Sequence, residues 1–185
     1  MFNQPLSVAE LINLLQNGSD QNPDAEWQAA VALGDVQGAD RLQAVTALQT
    51  VFTAGSAHAL TRSHAAESLG RLGDAAAAPN LVTALGDNYR LVRSYAAGAL
   101  ALVGGTDEHI TRLLDLLVND PFFGVRAEAA AAATTIALRR GDAAVRAQVT
   151  AALNTRRTIE VRQNLPGAVR VIAEIDRALA RLAAS

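Results

Sequence analysis

The sequence predicts an all-α fold, an α-α superhelix of the right-handed α-solenoid kind with about five helix-pair repeats, and three observations predict it. The first is a recurring pattern. An arginine, usually after a β-branched residue, precedes by three to seven residues a small-residue block ending in an apolar one. Val92-Arg93 leads to Ala96-Ala97-Gly98-Ala99-Leu100 and Val125-Arg126 to the block Ala129 to Ala133. Weaker copies are Thr61-Arg62 before Ala65-Ala66-Glu67-Ser68-Leu69 and Val161-Arg162 before Leu165 to Val169; a degenerate first copy, Ala29 to Leu33, has Glu26 in place of the arginine. The second observation is the step between anchors 26, 62, 93, 126 and 162, namely 36, 31, 33 and 36 residues. A near-constant step in this range marks units that bury their apolar faces only by stacking on their neighbours. The third is composition: 50% apolar, much of it alanine, with only 4% aromatic residues, which suits a thin layered core of closely approaching helices.

Each element follows from local signals. Ser7 caps a first helix whose Glu10 completes a capping box, with Val8, Leu11, Ile12, Leu14 and Leu15 on its face. The polar stretch from Asn17 to Pro23 is a loop, and the first small-residue block makes the partner helix. In the third unit Ala77 to Gly86 forms a short helix, Asp87-Asn88 breaks it, and Tyr89 to Val103 forms a second that ends at Gly104-Gly105. Leu81, Leu85, Val92, Ala96, Ala99 and Val103 recur at helical spacing as its core. In the fourth, Asp107 caps a helix carrying Ile110, Leu113, Leu114, Leu117 and Val118; Asn119-Asp120-Pro121 ends it, and a helix from Phe122 to Leu138 follows. Gly141-Asp142 opens a fifth pair, Ala143 to Leu153 and Thr158 onward. Pro166 starts or kinks the final helix, on which Ile172, Ile175, Leu179 and Leu182 form an apolar face that closes the stack. The expected organisation is one domain, 1–185, with repeats at 6–36, 38–73, 76–104, 107–140 and 142–184.

At Asp87 with Val92-Arg93, and at Asp120-Pro121 with Val125-Arg126, the chain resembles the HEAT repeat, within the wider armadillo-type class. The closest variety is the short-period repeat of phycobilisome lyase subunits and many bacterial HEAT proteins. The resemblance implies a ladder between neighbouring repeats, built from an aspartate near the turn and an arginine six residues later: Asp87 with Arg93 and Asp120 with Arg126. Arg62 has Ser56 where the acid would stand, Arg162 faces Arg156, and the first copy sets Asp20 against Glu26, so the ladder is expected in the middle of the stack. The tetratricopeptide pattern and the Thr-Pro-Leu-His signature of ankyrin are absent. The run from Asp120 to Ala130 also looks like the HEAT segment of some zinc aminopeptidases, but their His-Glu-x-x-His motif is missing.

Composition excludes several chemistries. With no cysteine there are no disulfides, thiolate nucleophiles or Cys-ligated metals. No run of about eighteen apolar residues suggests a membrane span, and Met1 to Pro5 lacks the start of a signal peptide, so a cytoplasmic location is expected. His58 and His64 lie six apart, not at the i, i+4 spacing of a helical metal pair, and with His109 they complete the histidines. Glu67, three residues after His64, is placed to pair with it. Gly104-Gly105-Thr106 lacks the lysine of a phosphate loop, and no Ser-His-Asp order with a Gly-rich elbow occurs. All sixteen basic residues are arginine, a bias that GC-rich codons explain most simply. Charge is polarised: residues 1–60 are net −5, 61–138 net −2 and 139–185 net +5.

These exclusions point to a non-enzymatic protein–protein interaction scaffold with no cofactor and no metal. The resemblance implies that second helices line the concave face, where the register places Trp27, Ser63, Glu67, Tyr89, Arg90, Ser94 and Phe123 as partner-binding residues. Aromatic and arginine residues are the usual anchors of interfaces. For Phe122 and Phe123 the competing expectation is that they plug the core between repeats beside Pro121. Asp87, Arg93, Asp120 and Arg126 are assigned to the structural ladder. The expected partner is another protein, not a membrane, and end-repeat stacking would allow a homo-oligomer. An alternative implied by the resemblance is a bilin lyase-type subunit or pigment-protein chaperone, for which Tyr89, Tyr95, Arg90 and Arg93 would face a tetrapyrrole. A second alternative is a HEAT-like nucleic-acid-binding protein, but a net charge of −2 and arginines on no single face predict no duplex binding at physiological salt.

Overall fold

A computed structural model of the chain describes residues 5–19, 21–22, 24–53, 58–164 and 166–185. Among them are ten α-helices and two 3-10 turns, with no strand. The helices pack in neighbouring pairs, an all-α arrangement of the α-solenoid class. Two compact units, Met1–Ala99 and Leu100–Ser185, divide the chain.

The first unit begins with α1 (Val8–Asn17). Glu10 N donates to the Ser7 hydroxyl at 3.3 Å, and Ser7 N donates to the Glu10 carboxylate at 2.8 Å, the expected capping box. Only Leu11 and Leu15 are fully buried, so α1 covers its neighbours with a narrow stripe. It packs on α2 (Ala25–Leu33), which in turn packs on α4 (Ala59–Leu72). A Cβ at Gly34 would lie 2.5 Å from Ser68 Oγ and would collide with Arg71, so glycine is what lets the end of α2 lie against α4. Between them runs α3 (Arg41–Thr53), led in by the turn Gly38–Asp40. The short α5 (Ala78–Ala84) follows the turn Ala75–Ala77, in which the Asp74 carboxylate accepts from Ala76 N at 2.9 Å. Leu33, Leu48, Leu69 and Leu81, with Ala29, Ala30, Ala65 and Ala66, fill the core. The boundary between the units falls inside α6 (Arg90–Val103).

The second unit contains α7 (Asp107–Asn119), α8 (Phe123–Arg140), α9 (Ala143–Gln163) and α10 (Ala168–Ala183). Thr106, not Asp107, caps α7: His109 N donates to the Thr106 hydroxyl at 3.3 Å, and His109 Nδ1 accepts from Gly105 N at 2.9 Å and Thr106 N at 3.3 Å. Asp107 instead occupies the first helical position, where a negative charge suits the helix dipole. The alanine block Ala129, Ala130, Ala132 and Ala133 is buried with Ile110, Leu113, Leu117, Ile136, Leu153 and Ile175.

The break expected between Leu153 and Thr158 does not occur, and α9 runs unbroken over 21 residues. Its polar residues feed the helix instead of interrupting it. Thr155 Oγ1 donates to the Ala151 carbonyl at 2.9 Å, Asn154 Nδ2 to that of Thr150 at 3.0 Å, and Arg156 pairs with Glu160 one turn on. Arg162 therefore ends the first helix of its pair, and the fifth copy of the arginine pattern is not equivalent to the others. Asn164 closes α9 in the left-handed region at φ 43°, and Pro166 lies in the turn ahead of α10. The expected roles of Asp20 and Ser56 fall on residues outside the described ones, as do the loop position Pro23 and the block residue Leu165.

Candidate functional site

The arginine spacing resolves into a different ladder from the expected one. Arg93 Nη1 donates to the main-chain carbonyls of Asp87 at 2.8 Å and Asn88 at 3.3 Å. Arg126 Nη1 does the same at Asp120, 3.0 Å, and Pro121, 3.1 Å. A spacing of six thus ties each arginine to the backbone of its own turn. The aspartate carboxylates act elsewhere: Asp120 accepts from Phe122 N at 2.8 Å, and Asp87 from Tyr89 N at 2.8 Å. Asp87 also receives Arg62 of the preceding repeat, Nε at 2.8 Å and Nη2 at 3.1 Å. Arg62, expected to lack an acid, has one 25 positions ahead. Burial opposes ionisation of Asp87, but the Arg62 hydrogen bonds, the Tyr89 N–H and the charges of Arg62 and Arg93 together hold its carboxyl below the ordinary range.

In the second unit the acid is Glu160, fully buried at the end of α9. Its Oε1 accepts from Arg126 Nε at 2.7 Å and from Arg156 Nε and Nη2 at 2.9 and 2.8 Å, while its Oε2 has no partner among the described residues. Other arginines close helix C-termini of neighbouring pairs. Arg41 donates to the Leu72 carbonyl, Arg71 to Val31, Arg156 to Val118, and Arg139 to Ala101, Leu102 and Gly104. The planar fork reaches several carbonyls at once, which an ammonium does less well. The arginine bias therefore has a structural use beyond codon choice.

A second row lies two positions after the anchoring arginines, at His64, Tyr95 and Glu128. In the first unit it forms a stack: the Trp27 and His64 rings lie 5.3 Å apart at 31°, and His64 and Tyr95 5.7 Å apart at 32°. All three side chains are half-buried, so one face of α2, α4 and α6 carries an aromatic strip across successive repeats. Glu67 sits beside it, its carboxylate 3.2 Å from His64 Nδ1 as its spacing predicted. The indole Nε1 of Trp27 is buried without a hydrogen-bond partner among the described residues. Tyr89 and Arg90 are exposed at the start of α6, and Ser94 is half-buried. Ser63 does not belong to the face: it is 0% exposed, and its hydroxyl donates to the Ala59 carbonyl at 2.8 Å. The expected register named Ser63, whereas the side chain on this strip is that of His64, one position on and about 100° around the helix.

In the second unit the corresponding position is Glu128. Burial, reinforced by the charge of Glu174, pushes its carboxyl above the ordinary range, against the pull of Arg170. Phe122 and Phe123 do not plug the core; they are 40% and 37% exposed. The Phe123 ring lies on Gly167, where a Cβ would come within 2.5 Å of Cδ1, and the Arg170 guanidinium stands 5.9 Å from the ring centroid. Among the described residues no three His, Asp or Glu side chains are grouped to hold a metal ion, and no helix is long and apolar enough to cross a membrane.

Paired helices whose turns are tied by arginine, repeated along the chain, define the α-solenoid class. Within that class, residues 52–134 match the family model for HEAT repeats, so the middle of the chain carries HEAT-type repeats. No curated protein matches it.

Proposed function

We propose that this protein is a non-enzymatic scaffold that holds a partner protein against the face of α2, α4 and α6. HEAT repeats commonly mediate protein–protein interaction and are typically non-catalytic. The observation that carries the reading is the Trp27–His64–Tyr95 strip, which gives one face of three successive repeats a continuous aromatic surface beside Glu67. Trp27, Glu67, Tyr89, Arg90 and Ser94 are its contact residues, with Tyr89 and Arg90 at the rim. Aromatic and arginine side chains dominate interface energetics because they bury large areas while keeping a polar end to orient the partner. The test is affinity capture from the native host's extract with the wild type and with Tyr89→Ala and Trp27→Ala. A protein retained by the wild type and lost by both variants, at unchanged helicity, is the expected result. A wild type that retains nothing and turns over a small molecule overturns it.

A further inference from the structure

We infer that the face of α2, α4 and α6 takes a basic segment of its partner, laying an arginine side chain along the Trp27–His64–Tyr95 rings with its guanidinium at Glu67. The inference rests on the scaffold reading and adds to it the chemistry of the occupant. Direct contacts hold the rings and the carboxylate together: successive ring centroids lie 5.3 and 5.7 Å apart, and Glu67 Oε2 lies 3.2 Å from His64 Nδ1. The Glu67 side chain is 40% exposed, and its Oε1 has no hydrogen-bond partner among the described residues. An open carboxylate oxygen beside aromatic rings suits an organic cation. The ring π electrons attract the charge, the apolar stem covers the rings, and the planar fork pairs with the carboxylate.

The cations of the first unit do not compete for this place. Arg71, one turn beyond Glu67 on α4, is held by the Asp35 carboxylate at 3.3 Å, the Val31 carbonyl at 2.7 Å and the Ser68 hydroxyl at 3.1 Å. Arg62 is bonded to Asp87 at 2.8 Å, and the buried Arg93 holds the turn carbonyls of Asp87 and Asn88. Arg90 stands five positions before Tyr95, about 140° around α6, and so meets the partner at the rim and not at Glu67. A second acid lies close by: the Glu26 carboxylate, next to Trp27, accepts from the Thr61 hydroxyl at 3.3 Å, one turn before His64. The first unit as a whole has nine acids against five arginines. A neutral segment would cover the rings and leave the Glu67 oxygen dried and unpaired, and an acidic one would meet it with like charge.

Fluorescence anisotropy of a short labelled peptide of repeating Arg-Gly-Ser-Gly, titrated with the full chain, tests it. Two control peptides carry glutamate for arginine, or citrulline, which keeps the shape of arginine and removes its charge. The expected result is binding at least about tenfold tighter than that of either control, weakening as salt rises. Glu67→Gln and Tyr95→Ala should each weaken it at least about tenfold, the first at an unchanged melting temperature. Asp40→Asn removes an exposed acid from the turn ahead of α3 and should leave binding unchanged. Absence of binding, equal binding of the citrulline peptide, or equal loss in Glu67→Gln and Asp40→Asn overturns the inference. A captured protein that is lost by Trp27→Ala and Tyr89→Ala but kept by Glu67→Gln would also overturn it, while leaving the scaffold reading in place.

Discussion

Arg126 serves three acceptors at once: two turn carbonyls of its own repeat and the buried carboxylate of Glu160. Removing it leaves Glu160 buried against Arg156 alone and two carbonyls unpaired. Arg126→Ala should cost about 3–5 kcal/mol, read as a fall in the urea midpoint, and Arg126→Lys should recover only part of it because an ammonium lacks the fork. His109 makes the second prediction at this scale. Its Nδ1 accepts two backbone N–H groups, which only the unprotonated nitrogen can do, and burial pushes its pKa below the ordinary value against the opposing charge of Glu108. The folded state thus binds fewer protons than the unfolded one. Stability from this group is complete above about pH 6.5 and is lost as pH falls through the lowered folded value. His109→Gln keeps an acceptor for the cap but cannot titrate, so its melting temperature should fall less than that of the wild type between pH 7.5 and 5.5.

At the scale of elements, the helix pairs were legible because their start and stop signals are local. Ser7 with Glu10, the alanine blocks and the Asp87-Asn88 break all act within a few residues. What misled was the repeat logic itself, which demanded a break inside 143–163 where no breaker stands. Proline tests the continuous helix. Thr155→Pro would remove an interior hydrogen bond and clash one turn back, and should lower stability by about 3 kcal/mol or more in urea titrations, whereas a linker there would tolerate it. The ladder was misassigned for a related reason. A spacing of six is visible along the chain, but whether the arginine meets the carboxylate or the carbonyl of that aspartate depends on where the turn folds. The cross-repeat partners Asp87 and Glu160, 25 and 34 residues from their arginines, share no common spacing.

For the molecule as a whole, stability in such arrays is close to a sum of units and their nearest-neighbour contacts. A local defect should stay local. Gly34→Ala would press a methyl group into Ser68 and Arg71, with an expected loss of about 1–3 kcal/mol. Hydrogen exchange should then accelerate in α2 and α4 and change little in α9 and α10. The strip of Trp27, His64 and Tyr95 also belongs to this scale. Its members are 37 and 31 residues apart, and only the stacking of three helices turns them into one surface.

Because every cation is an arginine and many hold carbonyls, trypsin becomes a reporter of the fold. Each cleavage point is also either a clamp or a bystander. In a brief digest of the native chain, Arg112, Arg162 and Arg181 should be cut early, while Arg126 and Arg156 should persist until their helices open, so the order of fragments would record which guanidinium groups are engaged.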